Sequence, residues 1–313
     1  MYIRLEFSRG DKMKYLSHLD MVRTFYRAIR RSEVPICYTS GFNPHAQMVF
    51  GLPMQVGVTG DAEYIDIKVE DSERNYDAVM GELISSLNSA LPDGIHINAA
   101  RERKAKDNIM SIITHATYEL SVGDKKNDFD NDGNDRNNFN NDNNDNNDNN
   151  EYNGNNSNNR KININVRSGD ISEALEKAVA AFLLPGPRLI AKSAKARKLR
   201  NKRRSNTGGS SAVDGNSGGS VKNFDLAPHV RSLEAHGDKL IMTVSAGSIN
   251  NIKPDLVLDA LNAIQQEGNI NYNDKIEFYK KSLHRKALYV ERSGALLKPI
   301  DNLICDQEDP YNE

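Results

Sequence analysis

Two cysteines, Cys37 and Cys305, are all that 313 residues contain. Two thiols cannot build a disulfide framework, a four-thiolate zinc site or an iron–sulfur cluster, and a reducing, cytoplasmic setting is expected. Long apolar runs are missing too. The opening MYIRLEFSRGDK lacks the hydrophobic stretch of a secretory signal, and AVAAFLLPGP is cut at Pro185 well short of a membrane span. A soluble chain with no membrane partner is therefore predicted. The histidines are scattered, and no two stand at helical i,i+4 spacing with an acidic neighbour, so no metal site is expected. Gly208-Gly209 and Gly218-Gly219 lack the lysine of a phosphate loop, and no nucleophile elbow occurs. No cofactor is expected. Asp128, Asp130, Asp132 and Gly133 fit the first half of a calcium loop, but the twelfth position is Phe139 and not a glutamate. In a tract so rich in Asp and Asn, such a match arises by chance.

Net charge is also scarce, at −2, yet it is unevenly spread. Residues 123–160 hold nine acids against four bases, which leaves the remainder at +3. Within that remainder, KSAKARKLRNKRRS places eight Lys or Arg between Lys192 and Arg204 with no acid. An arm of this kind binds polyanions through counterion release, and RNA is the polyanion predicted, with DNA not expected.

Hydrophobic periodicity is present in two similar blocks. In the first, IRLEF alternates as a half-buried strand does, and Ser17–Ser32 carries Leu19, Val22, Phe25, Tyr26 and Ile29 at helical spacing. Ser17 or His18 caps that helix and Asp20 sits in its first turn, where it suits the helix dipole. ICYTS and QMVFGLPM read as extended, EYIDIKVE as a strand, NYDAVMGELISSLNSAL as a helix and GIHINAARE as a closing strand. IITHATYELSV, SGDISEALEKAVAAFLL, PRLIAKSA, the hairpin VRSLEAHGDKLIMTVSAG, KPDLVLDALNAI and IEFYKKSLHRKALYVE repeat the order. The prediction is an α+β protein of two tandem ferredoxin-like (β-α-β-β-α-β) domains at 1–105 and 110–300. Disordered insertions are expected at 123–160 and 205–220, with a tail at 301–313.

Candidate functional residues fall into four groups. Arg23, Arg27, Arg30 and Arg31 crowd a turn and a half of the first helix, where guanidinium groups can grip phosphate. Tyr38, Ser40, Phe42, Asn43 and His45 follow in YTSGFNPHAQ, either a plain corner or a loop that displays polar and aromatic groups to a ligand. His284 and Arg285 lie together on a strand, where they either meet an anion or pack. The basic arm contributes Lys195, Arg197, Lys198, Arg200, Lys202, Arg203 and Arg204. Tandem ferredoxin-like domains with a basic helix and a glycine-bearing loop resemble the CRISPR repeat-processing endoribonucleases. That resemblance implies His45 or His18 as general base, with Arg27 or Arg31 stabilising a developing phosphorane. The blander reading gives His18 and Asp20 to the helix start.

IRLEFSRGDKMKYLSHLDMVRTFYRAIRRSEVPICYTSGFNPHAQMVFGLPMQVGVTGDAEYIDI resembles the opening of the radical SAM-linked proteins, a family of unknown function with the same SHLD helix start and GFNPH loop. DLAPHVRSLE and IEFYKKSLHRKALYV resemble its second half. The resemblance implies an association with a cobalamin-binding radical SAM protein and with RNA processing. The chain has no three-cysteine cluster motif, so the implied role is a noncatalytic accessory that binds RNA or presents an RNA substrate. A metal-independent endoribonuclease and a protein-interaction module without RNA are the alternatives. Asn43, His45, Ser17, His18 and Asp20 are the positions that match the recurrent motifs.

Overall fold

Alternation of Ile3, Leu5 and Phe7 with polar residues makes Tyr2–Arg9 a strand, β1, and the three apolar side chains enter one core. His18–Arg31 forms helix α1, capped by Ser17, whose hydroxyl accepts from the Asp20 amide at 3.3 Å. Its buried stripe is Met21, Phe25, Ala28 and Ile29. The stripe is turned from the expected one. Leu19 is 64% exposed, and Val22 and Tyr26 are only partly buried. Phe25 wins the core because it meets Phe7 and Phe50 edge-on, at centroid separations of 4.9 and 5.3 Å.

The first block continues through strands β2 (Met48–Phe50) and β3 (Val58–Lys68), helix α2 (Tyr76–Ala90) and strand β4 (Ile95–Glu102). A one-turn helix, α3 (Ile109–Ile112), leads into β5 (His115–Asp124) and helix α4 (Ser168–Leu183). Strands β6 (Leu189–Lys192) and β7 (Lys222–Asp225) form a separate ribbon. After it come β8 (Val230–His236), β9 (Lys239–Ser245), helix α5 (Pro254–Glu267), β10 (Phe278–Arg292), β11 (Ala295–Leu297) and helix α6 (Asn302–Cys305). The computed structural model describes residues 1–70, 76–104, 107–125, 168–192, 222–267 and 276–306. The expected Gly/Ser insertion, the partial calcium loop and the Asn/Asp tract beyond Lys125 lie outside the described residues.

The result is a mixed α/β molecule around one large, mostly antiparallel sheet of nine strands. Its main path runs β4-β1-β3-β10-β5-β9-β8, with β2 on β3 and β11 on β10. Where the sequence leads to an expectation of two tandem domains, the sheet runs straight across the boundary. The junction is the parallel pairing of Val58, Thr59 and Gly60 with Leu283, His284 and Arg285. β3 explains the continuity. Ile65 and Ile67 join the core under α1 and α2, whereas Val58, Ala62 and Tyr64 join the core of the second block with Leu120, Met242, Val179 and Leu261.

The burial of one strand and two boundaries differ from expectation. β1 is buried on both faces, because Arg4 grips Asp66 through Nε and Nη2 at 2.7 and 3.0 Å and donates Nη1 to the Pro299 carbonyl. Arg103 adds a second guanidinium, 3.3 Å from the same carboxylate. The start of the expected tail is therefore docked: Ile304 and Cys305 are buried in α6, and the Cys305 carbonyl accepts from the Lys104 amide. At the other boundary, Gly123 and Asp124 belong to β5, and Lys125 pairs with Glu277 in front of β10.

Candidate nucleic-acid interface

The rotation of α1 decides what its outer face can do. Since Met21 and Phe25 fill the core, Val22 and Tyr26, one turn apart, lie at the core's margin. Arg23 and Arg27 stand beside them. Facing them is the loop from Cys37 to Gln47, which braces itself. The Thr39 amide donates to the His45 carbonyl at 2.8 Å, and the His45 amide returns to the Thr39 hydroxyl at 3.0 Å. Gln47 Nε2 donates to the Tyr38 carbonyl at 2.9 Å, and Tyr38 bridges Ala46. Gly41 takes φ +125°, a conformation that favours glycine, and Pro44 stiffens the return. Ser40, Phe42, Asn43 and His45 are exposed as a result, Phe42 completely so. The Asn-Pro-His corner is thus a rigid, locally closed loop.

Helix and loop enclose a groove of about 410 Å³ lined by Val22, Arg23, Tyr26, Arg27, His45, Ala46 and Met48. Members of two of the four expected groups meet here, Arg23 and Arg27 from one and His45 from the other. Arg23 is held by Asp20 at 3.3 Å, and the Arg30 guanidinium lies 6.0 Å from the Tyr26 ring centre. The Ser17 hydroxyl, bonded to Asp20 at 2.7 Å, keeps the Asp20 carboxyl below the usual carboxylate range, with Arg23 adding to the effect. Arg27 and the His45 ring have no hydrogen-bond or ion-pair partner among the described residues.

Other expected site residues are placed elsewhere. Arg31 donates to the Ala90 carbonyl at 2.5 Å, tying the end of α1 to the end of α2, and does not line the groove. His18 packs edge-on against Phe50, with centroids 5.4 Å apart. It lines a cavity of about 20 Å³, room for roughly one water, with Arg9, Glu63 and Tyr64. His18 and His45 thus line different cavities. The basic arm, Lys195 to Arg204, lies outside the described residues.

Of the two readings of His284 and Arg285, contact with an anion or packing, the sheet junction bears on the second, because both side chains are engaged within the protein. Arg285 is 2% exposed and grips Glu63 through two contacts, Nε to Oε1 at 2.6 Å and Nη2 to Oε2, while Nη2 also donates to the Leu52 carbonyl at 2.8 Å. Burial raises the Glu63 carboxyl, with the guanidinium opposing it. At Arg285 burial works against the charge, but the facing carboxylate outweighs it and raises the pKa. The fork-to-fork geometry fits an ionised pair. Nε and Nη2 of this guanidinium are thereby committed to partners within the protein. On the neighbouring residue, His284 Nε2 lies 2.9 Å from Asp61 Oδ2 and Nδ1 lies 2.7 Å from the Thr59 hydroxyl. One neutral tautomer satisfies both contacts, donating from Nε2 and accepting at Nδ1. Successive residues of β10 thereby clasp β3 through different partners.

Sequence reasoning missed Thr59, Asp61, Glu63, Tyr26 and Met48. Tyr26 carried a signal: it was assigned to the buried face, but its neighbours Arg23, Arg27 and Arg30 place it at the margin of the polar one. Among the described residues, no group of three or more His, Cys, Asp or Glu stands close enough to hold a metal ion. Nor is any described helix long and apolar enough to cross a membrane.

Fold and site together define an α/β protein with a cationic, partly apolar groove beside a rigid loop. The chain matches, over residues 2–183, the family described as uncharacterized proteins conserved in bacteria (DUF2344), and it belongs to that family. The matched region includes α1, the Cys37–Gln47 loop and every residue that lines the groove. No curated protein matches the chain.

Proposed function

We propose that this protein is a noncatalytic cytoplasmic accessory that binds RNA, or presents an RNA substrate, for a cobalamin-binding radical SAM protein. In this reading it consists of two ferredoxin-like units joined edge to edge. The unit pattern is supported by strand order, since β4-β1-β3-β2 and β10-β5-β9-β8 each follow fourth, first, third, second with antiparallel neighbours. The radical SAM association rests on the resemblance carried by SHLD and GFNPH.

The observation that carries the RNA reading is the meeting of Arg23, Arg27 and His45 around Tyr26 in one groove, with Phe42 exposed at the loop tip. Guanidinium groups bind phosphate and aromatic faces stack on bases, so this combination suits RNA better than a purely anionic or purely apolar ligand. Helix arginines alone would serve equally as a solvated face. Their grouping with an unpartnered imidazole and exposed rings separates the two readings.

The test is affinity purification of the tagged protein from its own cells, divided into nuclease-treated and untreated halves. A cobalamin-binding radical SAM protein that persists after nuclease, with RNA enriched in the untreated half, is the expected result. Enrichment of neither over a mock purification overturns the proposal. Enzyme without RNA selects the protein-interaction module. RNA cleavage that disappears in His45→Ala, with RNA binding kept, selects the endoribonuclease.

A further inference from the structure

We infer that the groove between α1 and the Cys37–Gln47 loop holds one unpaired nucleotide of single-stranded RNA, its base against Tyr26 and Met48 and its phosphate on Arg27. This rests on the RNA-binding reading above and adds the form of the RNA. Val22, Tyr26, Ala46 and Met48 supply apolar and aromatic surface, while Arg27 and His45 supply the polar groups that lack partners among the described residues. An apolar lining that carries one aromatic ring, with a cation beside it, fits a heterocycle and its phosphate. A duplex keeps its base faces stacked inside and offers an aromatic floor nothing to cover. The remaining cations are already placed: Arg23 by Asp20, and Arg30 over the Tyr26 ring. Arg27 is the cation left for a phosphate. Phe42, fully exposed on a loop closed by Thr39 and His45, offers a second ring for an adjacent base. The braced backbone of the loop matters here, because less backbone freedom is lost when a base stacks on the ring.

The experiment is fluorescence anisotropy of the full chain with a labelled single-stranded RNA of mixed sequence, and with the same RNA annealed to its complement, at equal salt. The single strand should bind at least about ten-fold more tightly than the duplex. Phe42→Ala should weaken single-strand binding roughly ten-fold, leave duplex binding alone and keep the unfolding midpoint, since this ring touches no core. Tyr26→Leu, which keeps the floor apolar and removes the ring, should act in the same direction. Arg27→Gln should weaken both RNA forms and lower the salt slope by about one. Equal or tighter duplex binding, or RNA binding untouched by Phe42→Ala and Tyr26→Leu, overturns the single-nucleotide inference while leaving RNA binding intact. No binding to either form overturns both.

Discussion

Arg27 with His45, and His284 with Arg285, are the same two residue types in opposite circumstances. In the groove the guanidinium and imidazole are exposed and unpartnered among the described residues; at the junction of β3 and β10 the pair is buried or half-buried and engaged with Glu63, Leu52, Asp61 and Thr59. Composition treats the two pairs alike. What separates them is whether the fold has already supplied an acceptor for every donor. A basic residue that the chain has satisfied holds the structure together, and one that it has left open is available to something else.

The largest effect expected from this contrast is at Arg285. Arg285→Ala leaves Glu63 buried without its counter-charge and should cost about 3–5 kcal/mol in denaturant unfolding. His284→Ala should cost less, about 1–3 kcal/mol, because Thr59 and Asp61 lose their shared partner but keep some access to water. Arg27→Ala should move unfolding by no more than about 0.5 kcal/mol while weakening RNA binding several-fold. A large stability loss at Arg27, or none at Arg285, would break the comparison. The smallest effect concerns Glu119, whose carboxylate accepts from Lys239 at 2.8 Å and Lys286 at 3.1 Å and is thereby held below its ordinary 4.5. A depressed carboxylate stabilises the fold above its ordinary pKa, and that contribution fades as pH falls through the lowered value. Glu119→Gln should therefore show a shallower loss of stability below about pH 4.5 than the unaltered chain, measured by thermal unfolding across pH.

Local signals made much of this molecule legible. Alternation in IRLEF and IITHATYELSV, the Ser17 cap and the Gly237 hairpin predicted elements that are present within a few residues. Periodicity could not tell which apolar residues of α1 win the core. Leu19, Met21 and Val22 are separated by less than a turn, and only the positions of Phe7 and Phe50 across the space choose Met21 and Phe25. Nor could it reveal that β3 and β10 pair, since β3 carries Glu63 and Asp66 on buried faces and reads as half solvated. Their arginine partners, Arg285 and Arg4, stand 222 and 62 residues away. Of the candidate site, the GFNPH loop and the helix arginines were visible as neighbours in sequence. Their meeting in one groove depended on where the chain returns through β2.

The junction also has a history during synthesis. Thr59 and His284 are separated by 225 residues, whereas both antiparallel partners of β3, β1 and β2, belong to the first block. The first four strands can close on one another while the rest of the chain is still being made, but the segment Val58–Gly60 must wait for β10. Until then it is an open strand edge on the ribosome, able to recruit foreign strands, and the interval before residue 285 emerges is when a nascent chain of this design is most in need of a chaperone.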